Sequence, residues 1–267
     1  MRDELIRQLV RRRTQVVLAL VAAVPLLLTL IYVVRGAPEL TPGASPQLMH
    51  LASDSALAFA LYVTYLAAPL LLVAIAALFA GDAIASEASW GTLRYLLTAP
   101  LTRRQLLVRK ALAAATLVAI TVVLLVGMSL ACGLVAFGWH DLETPVGGTI
   151  PAAAGAGRLA LATLYVFVTL VPFAAIALLL STLLDAPLAA VAGSVGVALL
   201  SQILDVVPTL GDARNFLPTH YAYAWLDLFV DPPDPTMLAS GTLQSTCYVV
   251  AFLAAAWWWF DRRDITS

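Results

Sequence analysis

Residues Asp82–Lys110 read DAIASEASWGTLRYLLTAPLTRRQLLVRK, a charged island between two long uncharged runs, Ser55–Gly81 and Ala111–Trp139. Each run is long enough to cross a hydrocarbon core of about 30 Å at about 1.5 Å per residue, so the island between them must lie in water. Within it, Trp90-Gly91-Thr92 predicts the end of one helical segment and the start of another. The Thr92 hydroxyl is placed to cap the new turn, and Leu93, Leu96 and Leu97 share one of its faces. Pro100 ends this short segment, and Thr102 with Gln105 has the spacing of a capping box leading into the next long helix. A short helix held between two turns beneath two membrane helices is therefore expected. Flanked by Glu87, Arg94, Arg103, Arg104, Arg109 and Lys110, it could take force from a soluble partner. An ordinary loop whose basic residues only fix orientation accounts for the same charges equally well.

Working outward, the 267 residues are 61% hydrophobic and 12% charged, where soluble domains carry about 25% charge. This is the composition of an integral membrane protein. The formal charge of -1 gives no reason to expect nucleic acid as a partner. Cys132 and Cys247 fall in apolar runs and read as small core residues. Residues Met1–Arg13, MRDELIRQLVRRR, place leucines and isoleucine among distributed arginines, as in a helix lying in the headgroup layer. The uncharged run Thr14–Val34 is 21 residues, too long for the core of a signal peptide at about 7 to 15, and reads as a retained span.

Six spans result: Thr14–Val34, Ser55–Gly81, Ala111–Phe137, Leu159–Leu184, Ala186–Leu204 and Thr236–Phe260. Pro25, Pro69 and Pro172 predict bends within spans 1, 2 and 4. Small residues on span 3 (Gly127, Ser129, Ala131, Gly133) and span 5 (Ala189, Gly193, Ser194, Gly196) suit close helix packing. The loop Asp141–Gly157 carries two prolines and four glycines and reads as a loop without a folded domain. Residues 205–235 mix acidic residues with Phe216, Tyr221, Tyr223, Trp225 and Phe229, the composition of short helices at a membrane surface. Trp257-Trp258-Trp259 followed by Asp261 and two arginines reads as an interfacial anchor. Of the 15 basic residues, only Arg35, Arg158 and Arg214 fall on the side opposite the island. The positive-inside bias thus predicts a cytoplasmic island and cytoplasmic termini in a multi-pass cytoplasmic (inner) membrane protein.

There is no G-x-x-x-x-G-K-[ST] loop in the sequence, so the chain has no P-loop of its own, and any ATP and Mg belong to a separate ATPase. His50, His140 and His220 are scattered on the side opposite the island; no metal site and no catalytic residue is expected, and each histidine reads as an interfacial or hydrogen-bonded group. Placing Asp185, Asp205 and Asp227 in turns leaves the spans without an ionisable group, which argues against a proton-driven carrier. An apolar or amphipathic cargo is the easier fit, although Thr64, Tyr65, Tyr165, Thr169, Ser181 and Ser194 could line a polar path.

The island resembles the permease subunits of ABC-2 type ABC transporters, whose transmembrane domain is of the type V exporter kind. In these an acidic residue, a Gly-Thr pair, a leucine-rich turn, a proline and basic residues join the second and third spans; here they are Glu87, Gly91, Thr92, Leu96, Leu97, Pro100, Arg103 and Lys110. The resemblance implies a single all-α transmembrane domain over residues 1–267. It has an N-terminal interfacial helix (1–13), six transmembrane helices, a cytoplasmic coupling helix in 82–110, and short re-entrant helices in 205–235. It also implies partners: two copies of an ABC ATPase gripping the coupling region (Leu93 and Arg94 included), a second permease chain in a homodimer or heterodimer, and membrane lipid. The function implied is ATP-driven efflux, with no enzyme activity in this chain alone.

Spans 2 and 5 are expected near the dimer axis, which assigns Thr64, Tyr65, Gly193, Ser194 and Gly196 to the pathway or dimer interface. Phe216, Tyr221, Trp225 and Phe229 are expected to form an outer gate. Two other readings remain: a lipid-modifying membrane enzyme, for which Asp231-Pro-Pro-Asp234 is the nearest acidic pair, and a non-transporting partner of an ABC ATPase acting in sensing or extraction.

Overall fold

The computed structural model describes residues 8–36, 49, 51–89, 103–143, 148–184, 186–230 and 232–262. Six helices among them are long and apolar enough to cross a membrane. Span 1 is Arg12–Arg35. Span 2 is built in three pieces: an α-helix Ala56–Ala67, a π-helical turn Ala68–Leu72 and an α-helix Val73–Ser89. Span 3 is Arg103–Ala136, span 4 Ala152–Leu183, span 5 Pro187–Asp205 and span 6 Thr236–Arg262. Two 3-10 helices, Pro208–Phe216 and Ala224–Phe229, link spans 5 and 6.

Spans 2 and 4 form the centre. The second half of span 2 packs on spans 4 and 5, its first half on span 3, and span 4 also carries span 6; span 1 lies outside, against span 3. Two glycines let helices approach near their backbones. A Cβ on Gly133 would stand 2.8 Å from the Ala56 Cα, and one on Gly81 would stand 2.9 Å from a Val191 methyl. Backbones can approach this closely only where a side chain is missing, the usual device for packing helices whose lipid-facing and protein-facing surfaces are equally apolar.

Local chemistry sets the ends. Ser55 caps span 2, its hydroxyl accepting from the Ala58 amide at 3.2 Å, and the Ala56 amide donates to the Gly138 carbonyl of the turn after span 3 at 3.0 Å. Nearby, the Tyr32 ring meets Phe59, Tyr62 and Phe137 edge-on with centroids 6.2, 5.9 and 6.3 Å apart, and its hydroxyl donates to the Met49 carbonyl at 2.9 Å. This aromatic knot ties spans 1, 2 and 3 at the end away from the island.

Spans 3 and 4 start earlier than their apolar runs. Span 3 already begins at Arg103, and Thr102, the expected cap, lies outside the described residues. Span 4 begins at Ala152 rather than Leu159, because the alanine-rich start favours helix and the Asp141 carboxylate accepts from the Ala152 amide at 2.8 Å. The preceding loop contains a minimal antiparallel ladder, Leu142 opposite Ile150 and Glu143 opposite Thr149. Cys132 is buried, as expected of a small core residue, whereas Cys247 is exposed. Span 6 packs by its other face, where Gly241, Ser245, Ala256 and Phe260 are buried.

Candidate functional site: the island end and the sunken far end

Of the expected coupling residues, Gly91, Thr92, Leu93, Arg94, Leu96, Leu97 and Pro100 lie outside the described residues, as do the side chains of Glu87 and Arg103. The elements that carry the island are described. Span 2 continues as helix to Ser89, well past the end of its uncharged run at Gly81, and span 3 resumes as helix at Arg103. Both helices therefore run beyond their apolar stretches toward the same thirteen residues, 90–102.

This end is braced by charge. Asp82 of span 2 pairs with Arg13 at 3.0 Å and with Arg11 at 3.6 Å. Lys110 of span 3 is buried, and it lines one small pocket with Gln8, Asp82 and Leu117. The sequence pattern hid this cluster because its members come from three separate elements. On the other side of span 2 the Ser181 hydroxyl accepts from the Ala85 amide at 2.8 Å. At the bundle edge the Arg104 guanidinium sits 4.5 Å over the Trp257 ring, and that of Arg262 4.2 Å over Trp258.

The far end is stepped, and contacts between antiparallel spans 2 and 5 measure the step. Gly81 meets Val191, and Gln202 Nε2 donates to the Pro69 carbonyl at 2.8 Å. These two levels are twelve residues apart on span 2 and eleven on span 5, about 17 Å either way at about 1.5 Å per residue. Span 5 stops three residues later at Asp205, while span 2 continues thirteen residues beyond Pro69 to Ala56. Span 2 thus stands about 15 Å taller.

The segment between spans 5 and 6 fills that step. Ser201 and Thr219 share a hydrogen bond of 2.6 Å between their hydroxyls. The His220 Nδ1 lies 2.6 Å from the Asp205 carboxylate, and the Tyr223 ring packs 5.0 Å from that of Tyr65. Tyr165, thirteen residues down span 4, donates its hydroxyl to the Tyr221 carbonyl at 2.7 Å. Arg158 of span 4 donates to the carbonyls of Leu228 and Val230 at 3.1 and 3.3 Å.

The expected gate residues are divided by this arrangement. Trp225 and Phe229 are buried, their rings edge-to-face at 6.4 Å against spans 4 and 6. Tyr221 is half-buried, and Phe216 is 76% exposed. The residues expected to line the pathway are divided too. Thr64 is buried and bonds the Ala60 carbonyl of its own helix at 2.7 Å. Ser194 is buried and donates to the Phe173 carbonyl of span 4 at 2.7 Å, and Gly193 faces the Leu180 side chain of span 4. Gly196 faces open space, and Tyr65 is half-buried beside Tyr223. The uncovered face of span 5 is formed instead by Leu188, Leu200 and Ile203.

Among the described residues no three His, Cys, Asp or Glu side chains come together as a metal cluster. Asp234 is engaged locally, its carboxylate accepting from the Thr236 amide at 2.9 Å and hydroxyl at 2.6 Å.

Over this geometry lies a match to a family model. The model of the ABC-2 family transporter proteins matches residues 7–265. The chain belongs to the ABC-2 family. The match takes in the braced end, the island and the sunken segment together, and it makes the chain a membrane permease component of an ABC transporter. No curated protein matches it.

Proposed function

We propose that this ABC-2 chain is one permease half of an ATP-driven exporter of an amphipathic or hydrophobic cargo. Two ATPase subunits would grip residues 91–100 from the cytoplasm, and a second permease would complete the pathway. The observation that carries the reading is that span 3 and the second half of span 2, Val73–Ser89, each run as continuous α-helix to the island. Helix transmits displacement where loop would absorb it, so a push on the island moves both spans at once.

The position of the second permease follows from polarity. On this orientation Asp82 and its arginines mark the inner interface, so Asp205, His220 and the 3-10 helix Pro208–Phe216 lie within the outer leaflet. Asp212 and Asn215 are exposed there, and Arg214 donates to the Asp205 carbonyl at 3.3 Å. Polar groups at that depth are costly against acyl chains and tolerable against protein or water. The face formed by the end of span 5 and this 3-10 helix is thus the one turned to the partner permease and the cargo path.

Cross-linking tests this placement. Cysteines at Leu200 and Ile203, in a Cys132→Ala/Cys247→Ala background, are expected to link to the paired permease with a yield that changes with nucleotide. An intact complex without links at either position or its immediate neighbours would turn this face away from the axis. Cysteine at Ser194 is expected not to link, because that side chain points into its own chain.

A further inference from the structure

Pro69 has no amide hydrogen, and its ring crowds the carbonyl of Tyr65 four residues earlier, so span 2 opens into the π turn Ala68–Leu72. The Val73 amide, which in a regular helix would serve the Pro69 carbonyl, bonds Leu70 instead. The released oxygen is met by Gln202 Nε2 at 2.8 Å, across from span 5. One turn earlier on span 2, Tyr65 packs on Tyr223. On either side of Gln202 along span 5, Ser201 holds Thr219 and Asp205 holds His220. Residues 219–223 of the outer segment are thus held from spans 2 and 5, besides the Tyr165 bond from span 4, and spans 2 and 5 are joined to each other at the bulge.

We infer that Gln202, together with the π turn around Pro69, is the clasp through which a shift of span 2 releases the outer segment, Gln202 and Tyr65 acting as positioning residues for transport. A π turn carries extra chain relative to an α turn. Its reversion by one residue moves one half of span 2 by about 1.5 Å and about 100° relative to the other. That motion withdraws the Pro69 carbonyl from Gln202 and swings Tyr65 off Tyr223, so residues 219–223 lose their span 2 contact and their span 5 anchor is uncoupled from span 2, with the Tyr165 bond to the Tyr221 carbonyl remaining. Two discrete arrangements of one helix supply the switch. The drive for it rests on the reading of the chain as an ATP-driven permease, but the clasp is a property of the chain itself.

The test has two arms. In the full chain in lipid nanodiscs, Gln202→Leu removes the donor and Pro69→Ala removes the bulge. Either is expected to speed hydrogen exchange of amides 217–224 by about tenfold or more while span 4 peptides stay at wild-type rates. In the complex with its ATPase, spin labels at Phe216→Cys and Val135→Cys, both exposed, are placed in the Cys132→Ala/Cys247→Ala background. They are expected to change separation with nucleotide in the wild-type clasp. With Gln202→Leu the separation no longer responds, although hydrolysis persists within about twofold. Wild-type exchange over 217–224 in both variants, or a retained nucleotide response in Gln202→Leu, would overturn the inference. A wild-type complex that hydrolyses ATP with no change in separation would overturn the ATP drive, with the exchange arm still deciding the clasp.

Discussion

Single residues in this chain act through the space and the donors they supply to neighbouring helices. Gly133 and Gly127 lie on the same span with opposite surroundings: a Cβ at Gly133 would meet the Ala56 backbone at 2.8 Å, and one at Gly127 would meet nothing within 4 Å. Gly133→Ala is therefore expected to destabilise by about 1–3 kcal/mol through forced separation of spans 2 and 3. Gly127→Ala is expected to be neutral or to stabilise by up to about 1 kcal/mol through helix propensity. Thermal unfolding in detergent compares the two, and equal shifts would contradict the packing at Gly133.

Asp234 gives a pH signature. The hydroxyl and amide of Thr236 hold its carboxyl below the ordinary carboxylate range, so the folded chain binds that proton less tightly than the unfolded chain. The resulting support of the first turn of span 6 is present above the ordinary carboxylate range, near pH 4, and is lost as pH falls through the lowered value. Hydrogen exchange over residues 236–241, corrected for its intrinsic rate, should rise across that window. Asp234→Ala should show the rise already at neutral pH and no further step.

At the scale of elements, the apolar runs located all six spans because hydropathy is a property of each stretch by itself. Ser55 as the start of span 2 and Pro69 as its bend were legible for the same reason: a cap and a proline act on their own helix. The contacts that assemble the far end were not. Gln202 on Pro69, Arg158 on Leu228 and His220 on Asp205 join residues whose spacing along the chain carries no periodic signal. The early start of span 4 escaped because Gly155 and Gly157 read as loop, while the alanines around them and the Asp141 carboxylate favour helix. Ser194, on a small-residue face, was assigned to the pathway or dimer interface, whereas its hydroxyl donates to the Phe173 carbonyl of span 4 in its own chain, a partner that chain spacing does not reveal.

On the proposed reading, the island is the element on which coupling depends. A proline at Thr92 would remove the N-cap hydroxyl and fix the backbone at the start of the expected short helix. Thr92→Pro is thus predicted to retain expression and unfolding temperature while transport-linked ATP hydrolysis falls by at least about tenfold. Wild-type hydrolysis and transport in that variant would place the coupling element elsewhere.

For the whole molecule, span 2 joins the charge-braced island end, Asp82 with Arg11 and Arg13, to the polar far end, Pro69 with Gln202 and Tyr65 with Tyr223. Family membership makes the chain a permease component; the architecture proposes how force enters it and where it emerges. The most direct measurement is co-purification of the tagged chain from its native membranes with an ABC ATPase subunit, for wild type and for the triple variant Glu87→Ala/Arg94→Ala/Arg103→Ala. The account predicts that wild type retains the ATPase in equal copy number to the permease chains, and that the triple variant, with an unchanged unfolding temperature, loses it. A wild-type chain that is folded but retains no ATPase, or a triple variant that holds it as tightly as wild type, would contradict the central claim.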